Sequence, residues 1–124
     1  MEQVKDNFNT RYKNRFLAKV GQRLFFVQAS EVAYFYADNK IVYLVDREGN
    51  RFVINITLEK LELLLDPRYF FRINRKIIVH ADVIEQVRPV ANNRLKLLLK
   101  GIQTPEDISI SREKIADFKT WADS

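Results

Sequence analysis

From Arg15 to Lys100 the apolar residues fall in short runs, some of them alternating with polar residues, and each run breaks at a turn signal. RFLAKV (15–20) sets Phe16, Ala18 and Val20 on one side and Leu17 and Lys19 on the other, before Gly21-Gln22. LFFV (24–27), EVAYFYA (31–37), IVYLVD (41–46) and RFVINI (51–56) follow. They are punctuated by Asp38-Asn39-Lys40 and by a loop from Asp46 to Asn50 that contains Gly49. A period of two is the geometry of a strand, and closely spaced turns favour antiparallel hairpins. Further strands are expected at 69–73, 77–79, 83–88, 94–99 and 107–110. Pro89 marks its strand as an edge or a bulge, because proline has no N–H to give to a ladder. In RLKLLLK, Arg94, Lys96, Leu98 and Lys100 share one face and Leu95, Leu97 and Leu99 the other.

The period changes only twice. In TLEKLELLL (57–65), Leu58, Leu61, Leu64 and Leu65 fall at helical spacing, Thr57 is placed to cap the helix, and Asp66-Pro67 ends it. In SREKIADFKTW the spacing makes Ile115, Phe118, Trp121 and Ala122 a buried stripe, with Ser111 as the cap. Helices do not alternate with strands, which disfavours a parallel βαβ fold. The expected class is therefore mainly β, with one internal and one C-terminal helix. Residues 1–14 are polar and aperiodic, so the expected division is a linker or tail over 1–14 and one domain over 15–124.

One stretch resists the apolar pattern. FFRINRKIIV (70–79) carries Arg72, Asn74, Arg75 and Lys76 between strong apolar anchors. Alternation holds through Asn74, breaks at Arg75-Lys76 and resumes at Ile77, so the polar cluster belongs where the chain turns at a sheet end. Charge concentrates in the same region: residues 66–100 hold eight Lys/Arg against three Asp/Glu, within a net charge of +5. A local basic surface is the footprint of a polyanion binder, or else a solvated face. A rigid loop of Arg, Asn and Lys suits base reading: Asn pairs with adenine, Arg with guanine, and Lys contacts phosphate.

Other chemistries find little footing. Cysteine is absent, so disulfides and thiolate zinc sites are excluded, and His80 is the one histidine. Three glycines are too few for a phosphate-cradling loop, and no GxGxxG, Walker or HExxH motif occurs. The expectation is a non-enzyme with no cofactor and no metal. No stretch is long and apolar enough for a membrane span, and no signal peptide is evident near Met1, so a cytoplasmic protein is expected.

The order YFYADNKIVYLV, TLEKLE, LDPRYFFRINRKIIV, IEQV, RLKLLL and ISISREKIADFKTW resembles the LytTR DNA-binding domain, from about Arg15 to Trp121. The resemblance implies an elongated stack of small antiparallel sheets with a packed helix. It implies the output domain of a bacterial two-component response regulator, which enters successive major grooves of promoter DNA with loops and bends the duplex. Paired action on direct repeats, as a dimer on DNA, and a receiver or sensor partner outside this chain are also implied. The base-contacting positions it carries over are Asn39 or Lys40, Asn74 and Arg112. Arg75, Lys76 and Lys114 become neighbours suited to phosphate. Two other classes remain open. A single-strand or RNA binder would use exposed Tyr34, Phe35, Tyr36, Phe70 and Phe71 as stacking platforms. A protein-interaction module would set the basic patch against an acidic partner.

Overall fold

The computed structural model describes residues 11–105 and 107–124. Residues 1–10 of the expected tail lie outside the described residues. At the end of that tail the backbone of Lys13 donates to Leu64 O at 2.8 Å, and Asn14 O accepts from Ala29 N at 2.8 Å.

Among the described residues, ten strands and two α-helices follow in order: β1 Arg15–Val20, β2 Arg23–Gln28, β3 Val32–Asp38, β4 Ile41–Asp46, β5 Arg51–Ile54, α1 Leu58–Leu64, β6 Phe70–Arg72, β7 Ile77–His80, β8 Ile84–Val90, β9 Arg94–Leu99, β10 Ser109–Ile110 and α2 Ile115–Ala122. They form two antiparallel sheets. The larger has seven strands in the order β2-β1-β5-β4-β3-β7-β6, and the smaller has three in the order β10-β9-β8. The mainly-β architecture with one internal and one C-terminal helix is as expected.

Strand β3 explains how both sheets are held. Its sequence lacks polar alternation, and Val32 to Tyr36 are all buried, so it is covered on both faces. Phe35 points into a core with Phe16, Leu44, Ile54 and Ile78, closed by Leu58, Leu61 and Leu65 of the α1 region. Tyr34 and Tyr36 point the other way, into a core with Ile73, Ile77 and Val79. The second core is closed by Leu97 and Ile110 of the smaller sheet and Phe118 of α2. Burying such side chains contributes roughly 1.5–3 kcal/mol each, so these two cores carry the fold.

Local signals decide the element ends. Thr57 caps α1, its side chain accepting from Lys60 N at 3.1 Å. Ser111 does not act as expected: its side chain makes no capping bond, and its carbonyl accepts from Lys114 N instead. Arg112–Lys114 therefore form a 3-10 turn, and the α-helix proper begins at Ile115. Phe118 is buried in α2 and Trp121 half-buried, but Ala122 is exposed because the helix ends there with no element over it. Pro89 lies on β8, an edge strand, while the ladder irregularity falls between Ile84 and Gln86.

Candidate nucleic-acid interface

The polar cluster of FFRINRKIIV is the loop between β6 and β7, and three hydrogen bonds tie it to distant segments. Ala37 N, at the end of β3, donates to Lys76 O at 2.9 Å. Ser111 N donates to Ile73 O at 2.9 Å. The Asn74 amide Nδ2 donates to Ser109 O at 2.8 Å. These bonds bring the β3–β4 turn, the β6–β7 loop and the entry to the C-terminal helix to one end of the molecule. A groove of about 650 Å³ opens there, lined among others by Asp38, Asn74, Arg75, Lys76, Arg94 and Ser111.

The loop is fixed from within. Ile73 is fully buried. Asn74 Oδ1 accepts from Lys76 N at 2.8 Å, so the half-buried amide is engaged at both ends. Arg72 is the second brace. Its Nε donates to Asn74 O at 3.1 Å and its guanidinium to Arg75 O at 2.6 Å. The same guanidinium meets Glu62 at 2.8 Å and Glu59 at 3.2 Å on α1. Glu59 has a lowered pKa, first from a backbone hydrogen bond in the opening turn of α1 and then from Arg72. With a side chain only 13% exposed, Arg72 is a structural cation that closes two loop carbonyls. Sequence grouped it with its basic neighbours; its partners lie ten and thirteen residues away and become visible only in the fold.

Arg75 and Lys76 are exposed, and their side chains make no hydrogen bond or ion pair among the described residues. Asn39 and Lys40 form the two-residue turn between Asp38 and Ile41. Both have left-handed backbones, with φ of 51° and 69°. That is the hairpin turn which suits Asn at its first position and strains a lysine at its second. Both are exposed. Arg112 is exposed directly after Ser111, and Lys114 is half-buried two residues on. The expected site residues therefore fall on three segments that the hydrogen bonds join.

Of the eight cations between residues 66 and 100, two are neutralised: Arg68 pairs with Asp66 at 2.8 Å, and Arg72 with Glu59 and Glu62. The other six are exposed and lack an ion pair among the described residues. Two, Arg75 and Lys76, are on the loop. The aromatic residues considered for stacking are elsewhere: Tyr34, Phe35, Tyr36 and Phe70 are buried, and Phe71 packs on Phe118 and Trp121 at 5.7 and 5.1 Å. His80 is also buried, at the far end of β7, where Nδ1 accepts from Asp82 N at 3.0 Å. Among the described residues no group of three His, Cys, Asp or Glu is placed to hold a metal ion, and no helix is long and apolar enough to cross a membrane.

A family model described as the LytTr DNA-binding domain matches residues 22–123. Among solved structures, the LytTr DNA-binding domain of a putative methyl-accepting/DNA response regulator from Bacillus cereus shares this fold. Its TM-score is 0.79 at 23% identity, over 88% of this chain and 96% of that one. No curated protein matches the chain.

Proposed function

The chain belongs to the LytTR family of DNA-binding domains, and on that premise we propose that it reads a specific duplex sequence with loops and serves as the output module of a transcription regulator. The observation that carries this reading is the convergence of three exposed polar segments at one end, each braced from behind. Base discrimination requires side chains held close to one geometry, and this end of the molecule has that support.

Roles follow from which atoms are free. Asn74, the base contact expected from the resemblance, has its amide committed to Ser109 and Lys76. It holds the loop, and the exposed Arg75 beside it presents the guanidinium to a guanine edge. Arg112 reads a second guanine, and the Asn39-Lys40 turn a third position, with Asn39 suited to adenine. Lys76 and Lys114 contact phosphate. The three segments enter the major groove, and deformation of the duplex adds specificity. Binding to promoter DNA as a pair on direct repeats, under a receiver or sensor outside this chain, completes the proposal. Burial of Tyr34, Phe35, Tyr36 and Phe70 takes those four side chains out of any single-strand or RNA stacking platform.

The test is selection of the purified domain on a random double-stranded pool, followed by affinities for winners and scrambled duplexes at two salt concentrations. One enriched motif that keeps its advantage at the higher salt supports the reading. Binding that vanishes equally for every duplex as salt rises would reduce the surface to a generic polyanion patch.

A further inference from the structure

The four remaining exposed cations of the basic region lie on the smaller sheet or at its end. In the β8–β9 hairpin every residue from Glu85 to Arg94 is exposed, so its outer half projects without a covering element among the described residues. Val90 pairs with Arg94 across the turn, and Asn92 and Asn93 take left-handed φ of 65° and 57° to close it. Arg88 stands directly opposite Lys96. Residues opposite one another share a sheet face, so Arg88, Lys96 and Arg94 form one basic surface. Among the described residues Arg88 reaches only the neutral Gln86, at 3.4 Å. The carboxylate of Asp107, on the neighbouring segment, accepts from Ser109 Oγ at 2.6 Å and makes no ion pair with Lys96.

Like charges directly opposite in a ladder destabilise it. Edge strands do carry cations to block aggregation, which accounts for Arg88 on β8. It does not account for Lys96, which sits on the central strand with β10 on its other side. Both cations gain if an anion spans them. Arg94 lines the same groove as Arg75 and Lys76, so the basic face is continuous with the proposed reading end.

We propose that the β8–β9 hairpin is a phosphate-gripping arm, in which Arg88, Arg94 and Lys96 hold the sugar–phosphate backbone beside the segment read by the loops. This rests on the duplex-binding reading and adds a second, sequence-independent surface to it. The arm supplies affinity and salt dependence, and the loops supply discrimination.

The experiment compares wild type with Arg88→Gln/Lys96→Gln and with Lys96→Glu, which would pair with Arg88. Thermal midpoints and affinities for selected and scrambled duplexes are measured over a salt series. The expected result is opposite signs. Both variants melt at or above the wild-type temperature, because repulsion is relieved. Both bind selected and scrambled duplexes more weakly by the same factor. For the double variant the slope of log affinity against log salt falls by about two, since each phosphate contact contributes about 0.9. Unchanged affinity and slope in well-folded variants would overturn the arm, including in favour of an acidic protein partner for this face. A wild-type domain with no preference for any duplex would instead sink the function reading, so the two failures are distinguishable.

Discussion

The β6–β7 loop and the β8–β9 hairpin both bring cations to one groove, but they are built in opposite ways. The loop spans four residues, and its backbone and one amide are tied to Ala37, Ser109, Ser111 and Arg72. The outer half of the hairpin, from Glu85 to Arg94, is held by the β8–β9 ladder and is exposed throughout. A side chain that must distinguish one base edge from another needs the first construction. A side chain that must only neutralise a phosphate tolerates the second. On the proposed reading, the difference puts specificity on the braced loop and unspecific affinity on the arm.

Removing the brace should have the largest effect. Arg72→Ala leaves the carbonyls of Asn74 and Arg75 without their donor and is expected to lower stability by about 2 kcal/mol, measured by urea denaturation. The ion pairs add little, because Glu59 is 74% exposed and Glu62 42%. Binding to the selected duplex should fall at least tenfold while scrambled binding changes much less. Arg72→Lys should not restore it, because an ammonium cannot span two carbonyls and two carboxylates as the planar fork does. Full restoration by lysine would mean the loop needs only a charge there.

The next pair separates holding from reading. Asn74→Ala should cost about 1–3 kcal/mol of stability, since Ser109 O and Lys76 N lose their partner. Arg75→Ala should leave the melting transition within about 0.5 kcal/mol of wild type and cost about 1–3 kcal/mol on the selected duplex, relaxing preference at one position. If Asn74→Ala keeps its stability but loses discrimination, the two roles are exchanged.

A smaller effect tests the turn. Lys40 holds φ of 69°, which glycine accepts without strain. Lys40→Gly should raise stability by about 1 kcal/mol while weakening duplex binding. A gain in stability with unchanged binding would take Lys40 out of the interface.

The smallest effect serves as a control, far from both loop and arm. Burial lowers the pKa of His80 below its ordinary 6.5, with Arg47 acting the same way and Asp82 opposing it. The unfolded chain thus binds more protons than the folded one below that value. The stability contributed by neutral His80 is present above pH 6.5 and declines as pH falls through it. His80→Asn, which keeps an acceptor for Asp82 N, should flatten the decline in thermal midpoint between pH 7.5 and 5.5 without altering DNA preference. An equal decline in wild type and variant would place the titration elsewhere.

Most of the fold was legible because its signals are local. Short apolar runs between turn signals marked all ten strands, and Thr57 with its leucine spacing marked α1. Where sequence misplaced a detail, backbone geometry had replaced a side chain, as at Ser111, or an element stopped short of covering a residue, as at Ala122. The site was less legible. The segments that converge were named in advance, but the bracing inside FFRINRKIIV was not. It depends on Ser109, thirty-five residues from Asn74, and on carboxylates of α1. No spacing rule reports such contacts, and charge counting treats a braced Arg72 and a free Arg75 alike.

The most direct test of the division is the ratio of affinities for selected and scrambled duplexes, measured at two salt concentrations for wild type and Arg75→Ala. Collapse of that ratio toward one, with scrambled binding reduced only by the loss of a single cation, is the expected result. A ratio that survives Arg75→Ala intact would contradict the assignment of specificity to the braced loop.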